Sequence, residues 1–253
     1  MTRVTLEICV DDAAGIQAAA AGGADRIELC AALALGGLTP SAGLMALAAK
    51  VGIATMAMIR PRAGDFCWSE AEVEAMCAEI RASRAAGLAG VVIGASHADG
   101  RLDEAVLKRL MQEARGLDVT LHRAIDLTPD PEAAMRLVAA LGIGRVLSSG
   151  GAQSASAGMA RLQAMAAAAP DVSVMPGGGI TAANAADFAA ALPLKEIHAS
   201  ASSLAPAPAL AAVQAFGFQP PGAKVTDREK VAALRQRLHQ IAAAGGAGAG
   251  GGG

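Results

Sequence analysis

Two short apolar segments near the start of the chain each carry a carboxylate and a thiol two positions apart. Glu7 and Cys9 lie in the first segment, and Glu28 and Cys30 lie in the second. Alternate side chains of a β-strand share a face, so each glutamate is expected on the same side as its cysteine. Carboxylates in such positions can transfer protons in general acid–base catalysis. The cysteines, taken alone, are more typical of small buried apolar residues.

Two arginines, Arg60 and Arg62, flank a proline at the end of a third apolar segment and are followed by Asp65. Buried carboxylates need cationic partners, and guanidinium groups suit carboxylate or phosphate. Two interpretations therefore remain open. The arginines form a salt-bridge network with Glu7 and Glu28, or they bind an anionic ligand.

A histidine and an aspartate, His122 and Asp126, follow a later strand-like segment. They share a face if the chain stays extended between them. His122 then acts as a general acid or base, with Asp126 orienting it or binding a substrate hydroxyl. The alternative is a histidine with a structural role.

A glycine-rich turn leads directly into a helix near the end of the strand pattern. Backbone N–H groups of such a turn and of a helix N-terminus bind anions, although the glycines also suit a tight turn that binds nothing. We assign anion binding to the turn and to polar residues at the other strand ends. This set comprises Arg60, Arg62, Asp65, Ser149, Gly177, Gly178, Gly179, His198 and Ser200.

All these residues fall at the ends of strand-like segments that alternate with alanine- and leucine-rich helices. The starts of the segments are roughly 22 to 37 residues apart, which leaves room for one strand, one helix and two loops each time. The predicted strands are Val4–Cys9, Arg26–Cys30, Ile53–Ile59, Gly90–Gly94, Asp118–His122, Gly144–Ser149, Val172–Pro176 and Glu196–Ser200. Eight such units predict an α/β fold, a single (β/α)₈ TIM barrel with parallel strands, whose functional groups meet at the C-terminal ends of the strands.

The predicted barrel domain covers residues 1–244. Within it, Leu204–Gly222 is rich in alanine and proline and is expected to be irregular, whereas Asp227–Ala244 has the pattern of a final amphipathic helix. The last residues, 245–253, are almost all glycine and are expected to be disordered, because nothing in them offsets the entropy cost of ordering.

The composition excludes several classes of protein. Of the 253 residues 53% are hydrophobic and 2% aromatic, with no tyrosine and a net charge of −2. Aromatic platforms and basic patches for nucleic acid are therefore not expected, and no apolar run is long enough to cross a membrane. Four cysteines without an export signal predict reduced thiols and a cytoplasmic location.

Taken together, the strand ends resemble the CutC family over about residues 4–203. The matching stretches are Leu6–Cys9, Gly23–Cys30, Gly36–Ser41, Ile59–Arg62, Gly64–Cys67, His122–Ala124 with Asp126, Arg145–Leu147 with Ser149–Gly150, Gly177–Ile180 and His198–Ala201. The resemblance implies a cytoplasmic TIM barrel that forms a homo-oligomer, a dimer or a tetramer, and takes part in copper homeostasis. It further implies that Cys9 and Cys30 bind copper(I), and a soft thiolate pair suits that ion.

Two functional hypotheses follow, and their partners are a copper ion or a small anionic metabolite. The first is a copper(I)-binding protein that uses Cys9 and Cys30. The second is a lyase- or isomerase-like enzyme for a phosphorylated or carboxylated metabolite. The residues expected to transfer protons in that enzyme are Glu7, Glu28, His122 and Asp126. No organic cofactor is implied, and a barrel kept for an interaction alone is a third alternative.

Overall fold

Eight short parallel strands alternate with helices in the computed structural model of the chain, which describes residues 3–247. The barrel strands are β1 (Thr5–Val10), β2 (Arg26–Leu29), β3 (Ala54–Met58), β4 (Gly90–Ile93), β5 (Asp118–Leu121), β6 (Arg145–Ser148), β7 (Ser173–Pro176) and β8 (Glu196–Ala199). Consecutive strands pair from β1 to β7, and β8 pairs with β1 on its other side, so the barrel is nearly closed between β7 and β8. The predicted (β/α)₈ architecture is confirmed.

The helices lie outside the barrel. They are α1 (Ala13–Gly22), α2 (Ala42–Ala48), α3 (Glu70–Ala85), α4 (Glu104–Glu113), α5 (Pro131–Ala140), α6 (Met159–Ala168), α7 (Ala185–Ala191), α8 (Ala212–Ala215) and α9 (Arg228–Ala247). Ser69 begins α3 with a capping box in which its side chain and that of Glu72 each accept a hydrogen bond from the other residue's backbone N–H. Helix α7 begins after Asn184, whose side chain accepts a hydrogen bond from the Thr181 N–H and closes the preceding turn.

Side chains alternate across each barrel strand as a period of two requires. On β1, Leu6 and Ile8 are fully buried against the helices in the main apolar cluster. Glu7 and Cys9 are buried on the other side, inside the barrel. A barrel interior that holds carboxylates and thiols departs from the branched apolar filling common in such barrels, and this departure indicates that the interior carries functional groups.

The register of neighbouring strands decides which interior residues meet. In the pairing of β1 with β2, Glu7 lies opposite Arg26 and Cys9 lies opposite Glu28. Cys30, at the end of β2, therefore lies two residues beyond the level of Cys9. Strands of a closed barrel are staggered in this way, and the stagger cannot be read by aligning the two sequence motifs.

The chain after β8 forms a small antiparallel ribbon of β9 (Ser202–Leu204) and β10 (Lys224–Thr226), and α8 lies in the connection between them. Helix α9 then packs on α1 and α7 and buries Val231, Leu234 and Leu238. It runs to Ala247, so it includes the first residues of the predicted glycine tail, 245–253. The remainder of that tail, 248–253, lies outside the described residues. No helix within residues 3–247 is long and apolar enough to span a membrane.

Candidate functional site

A cavity of about 220 Å³ opens at the C-terminal ends of the strands. Its polar lining comprises Cys9, Glu28, Arg60, His122, Arg123, Gly177, Gly178, Gly179, His198 and Ser200. Its apolar lining comprises Leu33, Met58, Phe66 and Leu147. The barrel thus brings together residues from seven of its eight strand ends, all but that of β4, in one small chamber.

Glu7 lies beneath this chamber and is fully buried. Its Oε1 is 2.8 Å from His198 Nδ1, and its Oε2 accepts a hydrogen bond of 2.5 Å from Arg26 Nε. Burial favours the neutral carboxyl, but the hydrogen bond with His198 and the charge of Arg26 outweigh it and lower the pKa of Glu7 to about 2. Glu7 is therefore ionised and serves as an anchor for His198.

Cys9, Glu28 and His198 form a compact group of possible metal ligands on the cavity wall. One donor atom from each lies within 4.8 Å of the others, and all three side chains are buried. Burial raises the pKa of Glu28 to about 7, although the charge of His198 opposes the shift. Burial alone would lower the pKa of His198, but the charges around it, Glu28 foremost, raise that pKa well above its ordinary value.

Cys30, the second thiol of the expected copper pair, is fully buried and lies next to Glu28, with 3.7 Å between its Sγ and Glu28 Oε2. Its side chain is not part of the cavity lining. Burial and the neighbouring Glu28 charge raise the pKa of its thiol well above the ordinary value. The group of possible metal ligands thus consists of Cys9, Glu28 and His198. Cys30 contacts Glu28 but lies outside the cavity lining.

His122 lies at the end of β5 with its ring over the neighbouring strand end at Gly94. A Cβ on Gly94 would lie 2.2 Å from the imidazole, so glycine is required there. His122 Nδ1 accepts a hydrogen bond from the backbone N–H of Ala124 at 3.1 Å. Burial and the charge of Arg60 lower the pKa of His122 to about 3. The ring is therefore neutral at pH 7 and carries its proton on Nε2.

Asp126 does not contact His122. The residues after β5 wind into a 3₁₀ helix, Arg123–Leu127, so the extended backbone assumed for the pair is absent. The Asp126 carboxylate instead accepts hydrogen bonds from Ser148, from the Ser149 and Gly151 backbones and from Arg123. The predicted orientation of His122 by Asp126 is wrong; Asp126 ties the β5 and β6 loops together.

The salt-bridge interpretation of Arg60 and Arg62 is also wrong, because the buried partner of Glu7 is Arg26. Arg62 pairs with Asp65 and Glu72 outside the cavity lining. Arg60 does line the cavity, and its guanidinium donates to backbone carbonyls of Leu35, Gly37 and Gly64.

The glycine turn after β7 contributes Gly177, Gly178 and Gly179 to the cavity wall. Gly177 donates its N–H to the Ser148 carbonyl, and a Cβ there would lie 2.5 Å from the Leu147 side chain, which would have to move. Gly178 and Gly179 have positive φ angles, which glycine adopts readily. Ser200 also lines the cavity, whereas Ser149 is buried next to it and bonds to Asp126 and Arg123.

Unpartnered polar atoms converge on this cavity. Across residues 3–247 five buried side-chain nitrogen or oxygen atoms have no hydrogen-bond partner. Three of them, Glu28 Oε1, Arg60 Nε and His122 Nε2, belong to residues that line the cavity. Buried polar groups without partners are costly and uncommon, so three such groups at one cavity make it the candidate functional site.

Several contributors were not among the predicted site residues. Arg26 pairs with Glu7 from the start of β2. Residues at this N-terminal end of the strands usually stabilise the fold of such a barrel instead of forming its active site. Arg123 and Phe66 line the cavity within the segments His122–Asp126 and Asp65–Cys67. Each of these two residues is next to one already assigned to the site, His122 or Asp65, and that proximity is a usable signal. The Gly94 contact depends on strand neighbours that sequence alone does not fix.

Comparisons with known proteins agree on one family. The model of the CutC family matches residues 4–203. A family protein CutC from Sinorhizobium medicae is 49% identical over 244 residues, which cover 96% of this chain and 99% of that protein. One from Caulobacter vibrioides is 47% identical over 241 residues, which cover 94% and 98% of the two chains.

Solved structures give the same result. A candidate copper homeostasis protein, CutC from Streptococcus agalactiae, matches with a TM-score of 0.74 and 27% identity over 78% of this chain and 98% of that one. N-(5'-phosphoribosyl)anthranilate isomerase from Pyrococcus furiosus, at 13% identity and a TM-score of 0.55 over 94% and 99% of the chains, shares the fold alone. Because the family model and its relatives span most of the sequence, this chain belongs to the CutC family.

Proposed function

We propose that this CutC family member acts in copper homeostasis and binds copper(I) at the base of its cavity. The observation that carries the proposal is the buried group of Cys9, Glu28 and His198, whose donor atoms lie within 4.8 Å of one another. The description of the Streptococcus agalactiae CutC as a candidate copper homeostasis protein supports the same assignment.

The donor set suits copper(I) through its sulfur and imidazole members. A soft thiolate from Cys9 and the Nε2 of His198 match the preference of that ion. The hydrogen bond from His198 Nδ1 to Glu7 fixes the ring and leaves Nε2 as the ligand atom, the arrangement common behind metal-binding histidines. Cys30, the second thiol implied by the family, is close enough to support the site through Glu28.

Copper(I) titration of the reduced chain under anaerobic conditions, against a chromophoric competitor, tests the proposal. We expect one ion per chain and at least a tenfold loss of affinity in Cys9→Ser. Cys67→Ser is the matched control, because this half-buried thiol lies outside the cavity lining. Cys30→Ser should lose less than Cys9→Ser. Wild-type affinity in Cys9→Ser would show that the site is elsewhere or absent.

A second candidate function is an enzyme of the lyase or isomerase type that acts on a small phosphorylated or carboxylated metabolite. The specific observation in its favour is the convergence of Glu28 Oε1, Arg60 Nε and His122 Nε2, all without partners, on one cavity. A carboxyl whose pKa is raised to about 7 is suited to proton transfer near neutral pH. Glu28 would transfer the proton while Arg60 and the glycine turn hold the anion.

A turnover screen tests this second function. Small phosphorylated and carboxylated metabolites are incubated with the chain, and their consumption is followed by proton NMR. Glu28→Gln should abolish turnover, whereas Arg62→Lys, which alters an arginine outside the cavity, should not. Equal turnover by wild type and Glu28→Gln would count against catalysis at this site.

We also propose that the chain works in the cytoplasm as a homo-oligomer, a dimer or a tetramer. The exposed apolar residues of the segment after β8 support self-association, because Leu204, Phe216 and Phe218 are each more than 70% exposed. Two of the four phenylalanines of the chain thus face outward from this one segment.

A further inference from the structure

Two buried nitrogen atoms on one side of the cavity have no role in copper binding. They are Arg60 Nε, at the end of β3, and His122 Nε2, at the end of β5. Arg60 is 6% exposed and His122 is 3% exposed, and both side chains line the cavity. Neither nitrogen has a hydrogen-bond partner among residues 3–247.

The donor character of His122 follows from its hydrogen bond to the backbone. Because Nδ1 accepts the N–H of Ala124, the ring proton is on Nε2, where no group of the described chain accepts it. Gly94 provides the space for the ring. His122 is thus held as a fixed, neutral N–H donor.

Arg60 is fixed in a similar way by main-chain carbonyls. Its NH1 donates to Leu35 O at 2.8 Å and to Gly37 O at 3.1 Å, and its NH2 donates to Gly64 O at 2.9 Å. These bonds orient the guanidinium without neutralising it, since no carboxylate of the described residues pairs with it. The Nε–H is the donor left over.

The ring of Phe66 joins the two side chains. The Arg60 guanidinium carbon is 5.1 Å from the centroid of that ring, and the imidazole centroid is 4.8 Å from it. Both side chains therefore belong to one preformed wall, held by backbone contacts and by an aromatic spacer, which lowers the ordering cost of binding.

We propose that Arg60 and His122 form a subsite for the carboxylate of a small organic acid. This inference deepens the second candidate function and is independent of copper. Two N–H donors, one of them cationic, match the two oxygens of a carboxylate, whereas a phosphate has more oxygens than this wall has free donors. A benzene molecule fills a cavity of about 150 Å³, so the cavity of about 220 Å³ accepts an acid of about nine non-hydrogen atoms.

Malonate is a suitable probe, with malonamide as a neutral molecule of the same shape and inorganic phosphate as a competing anion. The His122 Nε2–H resonance is followed by NMR while each probe is added to the wild-type chain. We expect saturable shifts with malonate, no shift with malonamide and weaker binding of phosphate. No malonate shift would overturn the proposal, and tighter phosphate binding would overturn the choice of a carboxylate.

Two variants locate the effect. Arg60→Lys should weaken malonate at least tenfold, because a lysine cannot keep the three carbonyl contacts. His122→Asn should also weaken it at least tenfold, since a shorter amide can still cap Ala124 but cannot reach the cavity. Unchanged malonate affinity in both variants would place the anion elsewhere. Copper(I) affinity is expected to be retained in His122→Asn, so failure of this proposal and failure of the copper proposal are distinguishable.

Discussion

His198 Nδ1 lies 2.8 Å from Glu7 Oε1 inside the barrel. The parallel register of β1 with β8 places these two residues opposite each other, so the contact is built into the strand pairing. It directs the other ring nitrogen of His198 towards Cys9 and Glu28. The contact therefore fixes the position of His198 relative to the other two candidate metal ligands.

Replacing the anchor should damage both the fold and the site. Glu7→Gln removes the charge that Arg26 and His198 share, so buried His198 loses its nearest carboxylate, while Arg26 keeps its ion pair with Glu196. We expect a loss of about 3–5 kcal/mol in the free energy of unfolding and a 10- to 100-fold loss in copper(I) affinity. Urea unfolding and copper titration measure the two effects.

The control for that variant is Glu104→Gln. Glu104 pairs with Lys108 on the exposed face of α4, where an ion pair contributes less than about 1 kcal/mol. Equal losses of unfolding free energy and of copper(I) affinity in the two variants would show that Glu7 contributes no more than a surface ion pair does.

Gly94 should tolerate no side chain. In Gly94→Ala the new methyl group meets the His122 ring at 2.2 Å, so the ring must move out of the cavity wall. We expect a destabilisation of about 1–3 kcal/mol and a shifted His122 resonance. Gly144→Ala is the control, because nothing lies within 4 Å of its added Cβ and its φ is not positive. A normal His122 resonance in Gly94→Ala would contradict the described ring position.

The stability of the chain should depend on pH through Glu28. Its pKa of about 7 in the folded chain lies above the ordinary value of 4.5, so the folded state holds this proton more tightly than the unfolded state. This contribution is complete below about pH 4.5 and is lost as the pH rises through 7. Glu28→Gln removes the dependence.

Unfolding in urea at pH 5 and pH 8 checks the effect. Between these two values the wild type should lose up to about 3 kcal/mol relative to Glu28→Gln. A difference between the two proteins that does not change with pH would show that Glu28 ionises normally in the folded chain.

Self-association should depend on the segment after β8. The double variant Phe216→Ser and Phe218→Ser removes two exposed rings that pack edge to face, with centroids 6.1 Å apart. We expect the variant to have a lower molar mass than the wild type in light scattering after size exclusion. A monomeric wild type, or an oligomer unaffected by the change, would refute the proposed role of these residues.

The sequence predicts the fold well because its strand and helix periods are strong and regular. Four residues, Cys9, Glu28, Arg60 and His198, reach the cavity because each lies within two residues of the C-terminal end of its strand, and these ends meet at one face. The pairings within the site were less predictable. They depend on the stagger between β1 and β2, which sets Cys9 opposite Glu28.

Local winding after a strand is equally hard to predict. The 3₁₀ helix Arg123–Leu127 turns Asp126 away from His122, although the two residues share a face in an extended chain. Arg26, the partner of Glu7, is not predictable in this way, because it begins its strand, whereas functional residues of a barrel lie at the C-terminal strand ends.

X-ray absorption at the copper edge, on the chain loaded with one equivalent of copper(I), tests the central claim most directly. Ligation by Cys9 and His198 predicts one sulfur and one nitrogen neighbour, with the nitrogen signal lost in His198→Gln. Two sulfur neighbours and a spectrum unchanged in His198→Gln would contradict this assignment and favour the pair of Cys9 and Cys30.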